Sequence, residues 1–306
     1  MKKIAVIGGS GMVASRFIEL CSSNINLSDK IFDITSLDEK SLDITDKNAV
    51  DVYFGSNKFD VVINFAAYTN VDGAEAQKND ENGLVWKLNV EGPMNLAEIC
   101  NRKSVFMIHI STDFVFPGNK DNPGPYNEDT PIPETSEGIG WYGWTKNRAE
   151  AEIRNLGSRV AIIRYGYPFR AARYDQKKDW ARNLINLYNE QKLYPLFDDQ
   201  IHNVIFVDDL VEPLNKIING ELTGVFHIAS SDTTTPYEIG SYLLEKYTGK
   251  PVELQKGSIV EFLKVPGRTP RSRLGGLKVE ETETKLGMKF KTWREMVDEF
   301  ISQLKA

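Results

Sequence analysis

The first fourteen residues of the chain join a short strand, a glycine-rich turn and the start of a helix. An apolar run over residues 3–7 ends in the sequence GGSG at residues 8–11, and apolar side chains then recur at helical spacing from Met12 to Cys21. Glycine permits a tight turn with a close backbone approach, and the free N–H groups at a helix N-terminus attract an anion. Ala14 is small enough for the helix to pack on the strand. This order of elements is typical of the first unit of a dinucleotide-binding sheet.

Short apolar runs alternate with amphipathic stretches through the first half of the chain. Because continuous apolar strands joined by helices pack as a parallel sheet that is buried on both faces, the predicted fold class is α/β, a doubly wound parallel sheet of the Rossmann type. The predicted strands cover residues 3–7, 31–34, 60–64, 104–110 and 159–164, and the predicted helices cover residues 12–21, 46–54, 83–101 and 142–156. Thr45 is the expected N-cap of the second helix, and Pro93 should kink the third.

The pattern changes after Arg164. A helix is predicted near residues 179–188, strand and helix signals return over 205–218 and 224–229, and the last seventy or so residues are mainly helical. We predict a Rossmann domain of residues 1–165 plus about 199–229, and a smaller, mainly helical substrate domain of about 166–198 and 230–306. Since no linker rich in Pro, Gly or Ser separates them, the two domains should share an interface.

The residue at the end of the second strand decides which nicotinamide cofactor the glycine-rich turn accepts. An acidic side chain there bonds the ribose 2′-hydroxyl of NAD and repels the 2′-phosphate of NADP. Asp33, nineteen residues beyond Ala14, is the first candidate, and Asp38 is the second. Both could equally be solvated loop residues. We therefore expect NAD(P)H as the cofactor, with a slight preference for NAD.

Three polar motifs fall on the later strands and helices of the predicted sheet. The spacing of Tyr142 and Lys146 places both side chains on one face of a helix, where a nearby ammonium would lower the high pKa of the phenol. Thr112 and Asp113 follow the fourth strand, at the carboxyl edge where ligands bind. A hydroxyl group there can hold a carbonyl oxygen while the tyrosine delivers a proton. Each motif alone could be a helix face or a cap, but their order favours catalysis.

Composition and charge exclude several classes of function. The 306-residue chain has a formal net charge of −6, so we expect no nucleic-acid partner and no attraction to an anionic membrane. The apolar run over residues 4–7 is too short for a signal peptide, and no run approaches a membrane span. Cys21 and Cys100 do not form a disulfide framework, so we expect two buried core thiols and a reducing, cytoplasmic location.

The histidines of the chain show no metal-ligand spacing, and we predict no metal site. His109 and His227 fall in predicted strands and should be core residues whose hydrogen bonds are satisfied. His202 follows Asp199 and Gln200 and is expected to line the substrate cleft.

Taken together, the motifs resemble a known family. The chain is similar over nearly its whole length to the extended short-chain dehydrogenase/reductases and, within them, to the dTDP-4-dehydrorhamnose reductase family. The resemblance rests on residues 8–14, LDITD at 42–46, NFAAYTNVD at 64–72 with Ala74-Glu75 after it, STDFVF at 111–116, Tyr142 with Lys146, Asp199-Gln200 and RTPRSRL at 268–274. The STDFVF segment is the most specific of these motifs.

The resemblance implies reduction of the 4-keto group of a nucleotide-linked 6-deoxyhexose, with hydride from the reduced nicotinamide. It implies Tyr142 as the proton donor, Lys146 as the group that lowers the pKa of Tyr142 and binds the ribose, and Thr112 as the partner of the ketone. Asp113 would bind a sugar hydroxyl, and Tyr167 would lie against the sugar. A homodimer is also expected from the family. The predicted cofactor-binding residues are Gly8, Ser10, Gly11, Met12, Val13, Asp33, Asp43, Ile44, Ala66, Ala67, Tyr68, Tyr142 and Lys146.

An acidic chain needs a local basic site to hold a diphosphate. Arginine suits phosphate because its guanidinium donates two parallel hydrogen bonds. The basic residues fall into two groups, Arg170, Arg173, Lys177, Lys178 and Arg182 in the first and Arg268, Arg271 and Arg273 in the second. We expect each group to contribute at least one ligand, with Arg170 and Arg271 as the candidates and Lys177 and Lys178 as solvated charges.

Two other functions stay open. The chain departs from the family pattern at Pro117-Gly118, over residues 131–141 and over residues 165–182, where the sugar and nucleotide should lie. Phe114 stands where dehydratases of this superfamily carry Glu, which argues against dehydration. A nucleotide-sugar epimerase on the same scaffold is compatible with the motifs. So is a regulatory subunit with little turnover, although the presence of both Tyr142 and Lys146 favours an enzyme.

Overall fold

The structure is a computed structural model of the chain and describes residues 1–22, 32–157, 159–176 and 179–305. Its strands are β1 (Lys2–Ile7), β2 (Phe32–Leu37), β3 (Val61–Asn64), β4 (Phe106–Thr112), β5 (Val160–Tyr165), β6 (Pro168–Phe169), β7 (Leu196–Phe197), β8 (Ile205–Phe206), β9 (Gly224–His227) and β10 (Lys256–Gly257). Its α-helices are α1 (Met12–Ser22), α2 (Lys47–Ser56), α3 (Val71–Glu75), α4 (Leu84–Trp86), α5 (Gly92–Lys103), α6 (Trp141–Asn155), α7 (Trp180–Asn189), α8 (Val211–Gly220), α9 (Pro236–Thr248), α10 (Ile259–Lys264), α11 (Glu280–Leu286) and α12 (Trp293–Lys305). A π-helical turn covers Lys87–Glu91, and 3₁₀ turns cover Asp113–Val115 and Val207–Leu210.

Six parallel strands form one sheet in the order β2-β1-β3-β4-β5-β9. β3, β4 and β5 are buried along their whole length, as expected of strands covered by helices on both faces. The strand order reverses at β1, which pairs with β2 on one side and β3 on the other. Ligands bind outside the carboxyl ends of the strands at such a reversal, so the topology places a site after β1 and β3.

Helices cover the two faces of the sheet and form two apolar cores. Alternate residues of a strand point to opposite faces, so Ile4 and Ala5 of β1 belong to different cores. The first core includes Phe17 of α1, and the second includes Val50 of α2 and Leu96 of α5. The predicted doubly wound α/β sheet is confirmed.

The last part of the chain is mainly helical, as predicted, and it shares the first core with the sheet. The ring of Phe300 on α12 lies 5.4 Å from that of Phe169 and 6.4 Å from that of Phe206, and all three join Ile4 in one apolar cluster. Packing therefore crosses the predicted domain boundary, and the division into two domains stays a prediction.

The second strand and second helix differ in detail from the prediction. β2 runs to Leu37, three residues beyond the predicted end, and Ile31 lies outside the described residues. β2 is an edge strand, and the polar residues of its sequence FDITSL conceal its length. Asp46, and not Thr45, caps α2, because its carboxylate accepts hydrogen bonds from two backbone N–H groups of the first turn.

The predicted single helix over residues 83–101 is interrupted. It consists of α4, the π-helical turn and α5, with Pro93 in the first turn of α5. Proline lacks an N–H and crowds the carbonyl four residues earlier, which is that of Asn89, and the wider π turn relieves this conflict. The turn directs the Asn89 side chain to the backbone N–H of Tyr68 at 2.7 Å and to Thr145 Oγ1 at 3.0 Å.

The two cysteines lie in different apolar cores. Cys21 and Cys100 are buried free thiols, as predicted, and burial raises the pKa of each to about 12. Across the ranges that the structure describes, no helix has the length and apolar character needed to cross a membrane.

Candidate functional site

A cleft of about 440 Å³, here called the inner cleft, opens at the carboxyl ends of β4 and β5. The first turn of α1, the loop after β3, the start of α6 and the loop after β5 form its walls. The residues that line it include Gly11, Met12, Val13, Phe65, Ala67, Ser111, Thr112, Phe114, Tyr142, Lys146, Tyr167 and Arg271. The sheet thus brings the predicted catalytic residues to the end of the glycine-rich turn.

A second cleft, the outer cleft, extends past the glycine-rich turn to the end of β2. The residues that line it include Gly8, Ser10, Gly11, Asp38, Lys40, Asp43, Ile44, Phe65, Ala66 and Ala67. Because Gly11, Phe65 and Ala67 line both clefts, the inner and outer clefts form one continuous groove.

The geometry of this groove requires glycine at position 8. Gly8 has a φ of 72°, in the left-handed region, and a Cβ there would lie 2.8 Å from the backbone nitrogen of Ala66. Its N–H donates to the Leu37 carbonyl at 2.8 Å, which ties the turn to the end of β2. The floor of the groove is therefore bare backbone that leads to the N-terminus of α1. A pyrophosphate suits such a floor, so the residues present fit a nicotinamide dinucleotide.

Most of the predicted cofactor-binding residues line the groove. Gly8, Ser10, Gly11, Asp43, Ile44, Ala66 and Ala67 line the outer cleft, and Met12, Val13, Tyr142 and Lys146 line the inner cleft. Tyr68 is an exception, because its ring packs with Ala74, Val85 and Trp141 in a separate apolar cluster. The structure contradicts a side-chain role for Tyr68 in the groove.

Asp33 is the second exception. It lies at the amino end of β2, in register with Lys3, whereas the glycine-rich turn meets the carboxyl end of this strand. The prediction for Asp33 is wrong because β2 continues to Leu37. Asp38, the second candidate, is the first residue after the strand and lines the outer cleft. Its carboxylate accepts hydrogen bonds from Ser41, which lower the pKa of Asp38, so the group is ionised at neutral pH.

Tyr142 and Thr112 meet at the sheet wall of the inner cleft. Both residues line this wall, and Thr112 Oγ1 donates to Asp113 Oδ1 at 3.0 Å. Burial, and after it the nearby Asp113 carboxylate, raise the pKa of Tyr142 above its ordinary value. Burial also raises the pKa of Asp113 to about 6. The phenol therefore stays protonated at neutral pH and is available as a proton donor.

Lys146 lies deeper in the same wall and is 2% exposed. Its Nζ donates to the Ile110 carbonyl at 2.6 Å and lies 3.1 Å from His109 Nε2. Burial lowers the pKa of Lys146 to about 7, against the attraction of the Glu150 carboxylate. In this arrangement burial and Asp113 raise the pKa of Tyr142, and the lowering expected from Lys146 stays a prediction.

The opposite wall carries Tyr167 and Arg271. Tyr167 has a φ of 48°, and its ring stacks on that of His202 at a centroid distance of 4.2 Å. Arg271 donates from Nη2 to the Asp72 carboxylate at 2.8 and 3.0 Å. Both residues also line a side cleft, together with Trp180, Tyr194, Phe197, Gln200 and His202. His202, which was expected at the substrate cleft, thus lines the side cleft and not the inner cleft.

Arg170 does not reach the clefts. It is 4% exposed, and it donates to the Met12 carbonyl at 2.8 Å, to Ser15 Oγ at 2.9 Å and to the Ala172 carbonyl at 3.0 Å. Because these contacts occupy its N–H groups, the structure contradicts the prediction that Arg170 binds substrate. Its observed role is to fasten the segment after β6 to the first turn of α1.

The remaining basic residues of the two groups can be sorted by whether they line a cleft or contact other groups of the protein. Arg173 is exposed and pairs with Asp175, and Arg182 donates to the carbonyls of residues 170 and 171. Lys177 and Lys178 lie outside the described residues. In the second group, Arg268 lies over the Phe262 ring and Arg273 donates to the Asp199 carbonyl, which leaves Arg271 as the member that lines the clefts.

Behind the sheet wall lies a buried polar network whose residues Ser111, Glu150, Arg164 and His109 were not predicted as site residues. Ser111 Oγ donates to Glu150 Oε1 at 2.5 Å, and Arg164 donates to both oxygens of Glu150 at 2.9 and 2.7 Å. His109 contacts Lys146 on the same side of the sheet. Their spacing was a usable signal, since His109 and Ser111 share one face of β4 and Glu150 follows Lys146 by one helical turn.

Comparison with known proteins is consistent with this geometry. A family model described as the RmlD substrate binding domain matches residues 1–306. The probable low-salt glycan biosynthesis reductase Agl14 of Haloferax volcanii is 31% identical over 252 residues, which cover 80% of this chain and 78% of that protein. The dTDP-4-dehydrorhamnose reductase of Mycobacterium tuberculosis is 29% identical over 248 residues, which cover 80% of this chain and 76% of that protein.

A solved structure shows the same fold. The dTDP-4-dehydrorhamnose reductase of Bacillus anthracis in complex with NADP superimposes with a TM-score of 0.83 at 24% identity, over 99% of each chain. At this level of identity the likeness concerns the fold alone.

Proposed function

Because the chain belongs to the RmlD substrate binding domain family, we propose that it is an NAD(P)H-dependent reductase of the 4-keto group of a nucleotide-activated deoxysugar. One observation carries the proposal. Thr112, Tyr142 and Lys146 line an inner cleft that is continuous with the backbone-floored groove at the glycine-rich turn. A proton donor thus lies at the end of a dinucleotide site, as ketone reduction requires.

A bound nicotinamide dinucleotide would supply hydride to the carbonyl carbon of the substrate. Residues 8–13 would hold its pyrophosphate, and Asp38 would face its adenosine ribose at the end of β2. Lys146 would bind the nicotinamide ribose. The domains predicted from the sequence fit this division, with residues 1–165 and about 199–229 holding the cofactor and residues of about 166–198 and 230–306 holding the sugar nucleotide.

The chain itself would supply the proton. Thr112 would hydrogen-bond the ketone oxygen, and Tyr142 would donate its phenolic proton to that oxygen as it gains negative charge. Burial keeps the phenol protonated until this moment. An ammonium at Lys146 would stabilise the phenolate that remains.

The opposite wall would hold the nucleotide. Arg271 presents its guanidinium to both the inner and the side cleft and suits a diphosphate. Tyr167 would lie against the sugar, and the aromatic residues of the side cleft offer ring faces to a base. Asp113 bonds to Thr112 in the structure, so we propose that it orients this hydroxyl, in addition to the sugar contact expected from the family.

The test is the consumption of NADH and of NADPH, each followed by absorbance, with dTDP-4-dehydrorhamnose and the full-length chain. Stoichiometric oxidation of either cofactor supports reduction and gives the cofactor preference at the same time. Absence of oxidation, with cofactor binding confirmed by fluorescence, overturns the proposal for this substrate. A sugar epimer formed without net oxidation identifies an epimerase. If neither oxidised cofactor nor an epimer is formed, the result favours a regulatory subunit.

Partners and location are proposed as well. From the family resemblance and the acidic net charge of −6, we propose a cytoplasmic homodimer that does not bind nucleic acid. Sedimentation of the purified chain tests whether it is a dimer. A gel-shift titration with duplex DNA tests whether it binds nucleic acid.

A further inference from the structure

Three buried polar side chains form a row behind the inner cleft. Asn64 ends β3, His109 is its register partner on β4, and Lys146 approaches from α6. Asn64 and His109 are fully buried, and Lys146 is 2% exposed. The distance is 3.4 Å from Asn64 Nδ2 to His109 Nδ1 and 3.1 Å from His109 Nε2 to Lys146 Nζ. Both contacts are direct, so the donors and acceptors must be assigned among the three side chains themselves.

A backbone contact of Asn64 fixes the direction of the hydrogen bonds in this row. The Ala66 N–H lies 3.0 Å from the Asn64 side chain and can only donate, so the atom that faces it is the amide oxygen, Oδ1. The amide nitrogen of Asn64 then faces His109. An amide NH₂ group only donates, so His109 Nδ1 must accept.

The tautomer of His109 follows from this direction. Burial holds the pKa of His109 well below its ordinary value, so the imidazole is neutral and carries one proton. With Nδ1 as the acceptor, that proton is on Nε2 and points at Lys146 Nζ. An ammonium has no lone pair, and only a neutral amine can accept this hydrogen bond. The same amine donates one of its own protons to the Ile110 carbonyl at 2.6 Å, which completes a consistent network.

The opposite tautomer is less consistent with the contacts. A proton on Nδ1 would free Nε2 to accept from an ammonium, but it would place an N–H group against the Asn64 amide N–H at 3.4 Å. Two donors would then face each other in a fully buried position, with no acceptor for either.

We propose that His109 is a positioning residue that holds Lys146 as a neutral amine in the free chain, with its tautomer fixed by Asn64. This inference rests on the proposed function only for its catalytic consequence, which is that Lys146 must leave His109 and take up a proton from solvent before it can stabilise a phenolate at Tyr142. The state of the His109–Lys146 pair itself is a property of the chain alone.

Three other ionisable groups, Glu150, Tyr142 and Asp113, belong to the elements that surround Lys146. Glu150, one turn further along α6, attracts a proton to Lys146, but its charge is balanced by the bidentate contact with Arg164 of β5. Tyr142 lies one turn earlier on α6 and stays protonated at neutral pH. Asp113 directly follows the strand that carries His109, and burial raises its pKa to about 6, close enough to that of Lys146 that its own signal must be followed.

The experiment is side-chain ¹⁵N NMR of the cofactor-free chain over a pH series, which assigns the imidazole tautomer of His109 and titrates the amine of Lys146. In the native chain we expect the Nε2–H tautomer and a Lys146 pKa of about 7, so that the amine is neutral above this pH and not only above about 10 as for an exposed lysine. An Nδ1–H tautomer, or a Lys146 that stays an ammonium well above neutral pH, would overturn the proposal. No activity enters this measurement, so its failure is separate from failure of the proposed reductase function.

Asn64→Asp reverses the row with little change of shape. The new carboxylate accepts from Nδ1–H, which leaves the Nε2 lone pair to accept from an ammonium, and we expect the Lys146 pKa to rise by about one unit or more. His109→Gln should act in the same direction, because its amide oxygen can face the ammonium. The matched control is His202→Gln, a buried histidine that stacks on Tyr167 at the side cleft and should leave the Lys146 pKa unchanged.

The catalytic consequence has its own measurement. Activity that requires the Lys146 ammonium in the free chain should fall as the pH rises through about 7 in a profile of kcat/KM. Asn64→Asp should move this limb to higher pH by the shift seen in NMR. A limb that stays in place while the NMR titration shifts would show that His109 does not act on catalysis through Lys146, and it would overturn the positioning role.

Discussion

The two walls of the inner cleft are built differently. On the sheet wall, polar side chains bond to groups of the protein, as Thr112 does to Asp113 and Lys146 to the Ile110 carbonyl. On the opposite wall, within the part of the chain that the structure describes, Arg271 Nε beside the inner and side clefts and His202 Nδ1 beside the side cleft are buried and have no hydrogen-bond partner.

This difference separates the two tasks of an enzyme site. A buried polar atom without a partner costs about 1–3 kcal/mol, so such atoms beside a cleft mark places where a bound ligand or water can complete the hydrogen bonds. The sheet wall is complete without ligand and is suited to chemistry, whereas the opposite wall is incomplete and is suited to binding. Variants of the first should lower kcat, and variants of the second should raise KM for the sugar nucleotide.

The largest effect is expected at Tyr142 on the sheet wall. Tyr142→Phe removes the transferable proton but keeps the ring, so kcat should fall about 10²- to 10⁴-fold while cofactor binding and KM stay near their original values. Steady-state kinetics and a fluorescence titration with NADH measure these quantities. Unchanged turnover would show that another group donates the proton.

Arg271 tests the opposite wall. Arg271→Ala should raise KM for the sugar nucleotide about tenfold to a hundredfold with little change in kcat, because a charge-assisted contact to the diphosphate is lost. Asp72→Asn should lower KM, since Asp72 competes with the substrate for the same guanidinium. Arg268→Ala is the matched control, because Arg268 is exposed and lies over Phe262 outside the clefts. A fall in kcat alone at Arg271 would contradict the division between the walls.

Arg170 separates a structural arginine from a binding one. Arg170→Met leaves its carbonyl and hydroxyl acceptors on α1 without donors, so we expect a loss of about 2–4 kcal/mol in the free energy of unfolding and an unchanged KM. Urea denaturation measures the first quantity. Arg173→Met, at an exposed position three residues later, should leave unfolding unchanged. A raised KM together with an unchanged free energy of unfolding would show that Arg170 binds substrate.

The sequence was sufficient to locate those functional residues whose arrangement depends on local spacing along the chain. The glycine-rich turn at residues 8–11 and the pair Tyr142 and Lys146 occupy fixed positions relative to a strand end or along one helix, so their arrangement could be read without the fold. Thr112 was located in the same way, by the end of a buried apolar strand.

Prediction failed where a residue's role depends on a distant segment or on an uncertain strand end. Arg170 satisfies its N–H groups on Met12 and Ser15, more than 150 residues earlier, and nothing in the sequence near Arg170 signals this. Asp33 was chosen because the polar residues of edge strand β2 concealed three further residues of strand. His109 was correctly placed in the core, but its contact with Lys146 depends on how α6 packs on β4.

The smallest effect concerns the far end of the groove. Asp38→Asn keeps the oxygen that accepts hydrogen bonds from Lys40 and Ser41 but removes the negative charge at the end of β2. If Asp38 faces the adenosine ribose, the preference for NADPH over NADH should rise about twofold to fivefold, a small factor because the charge is exposed to solvent. Asp33→Asn makes the same chemical change at the amino end of the same strand and should leave the ratio of the two kcat/KM values unchanged. A shift at Asp33 and none at Asp38 would reverse the assignment of the two residues and place the adenosine ribose away from the outer cleft.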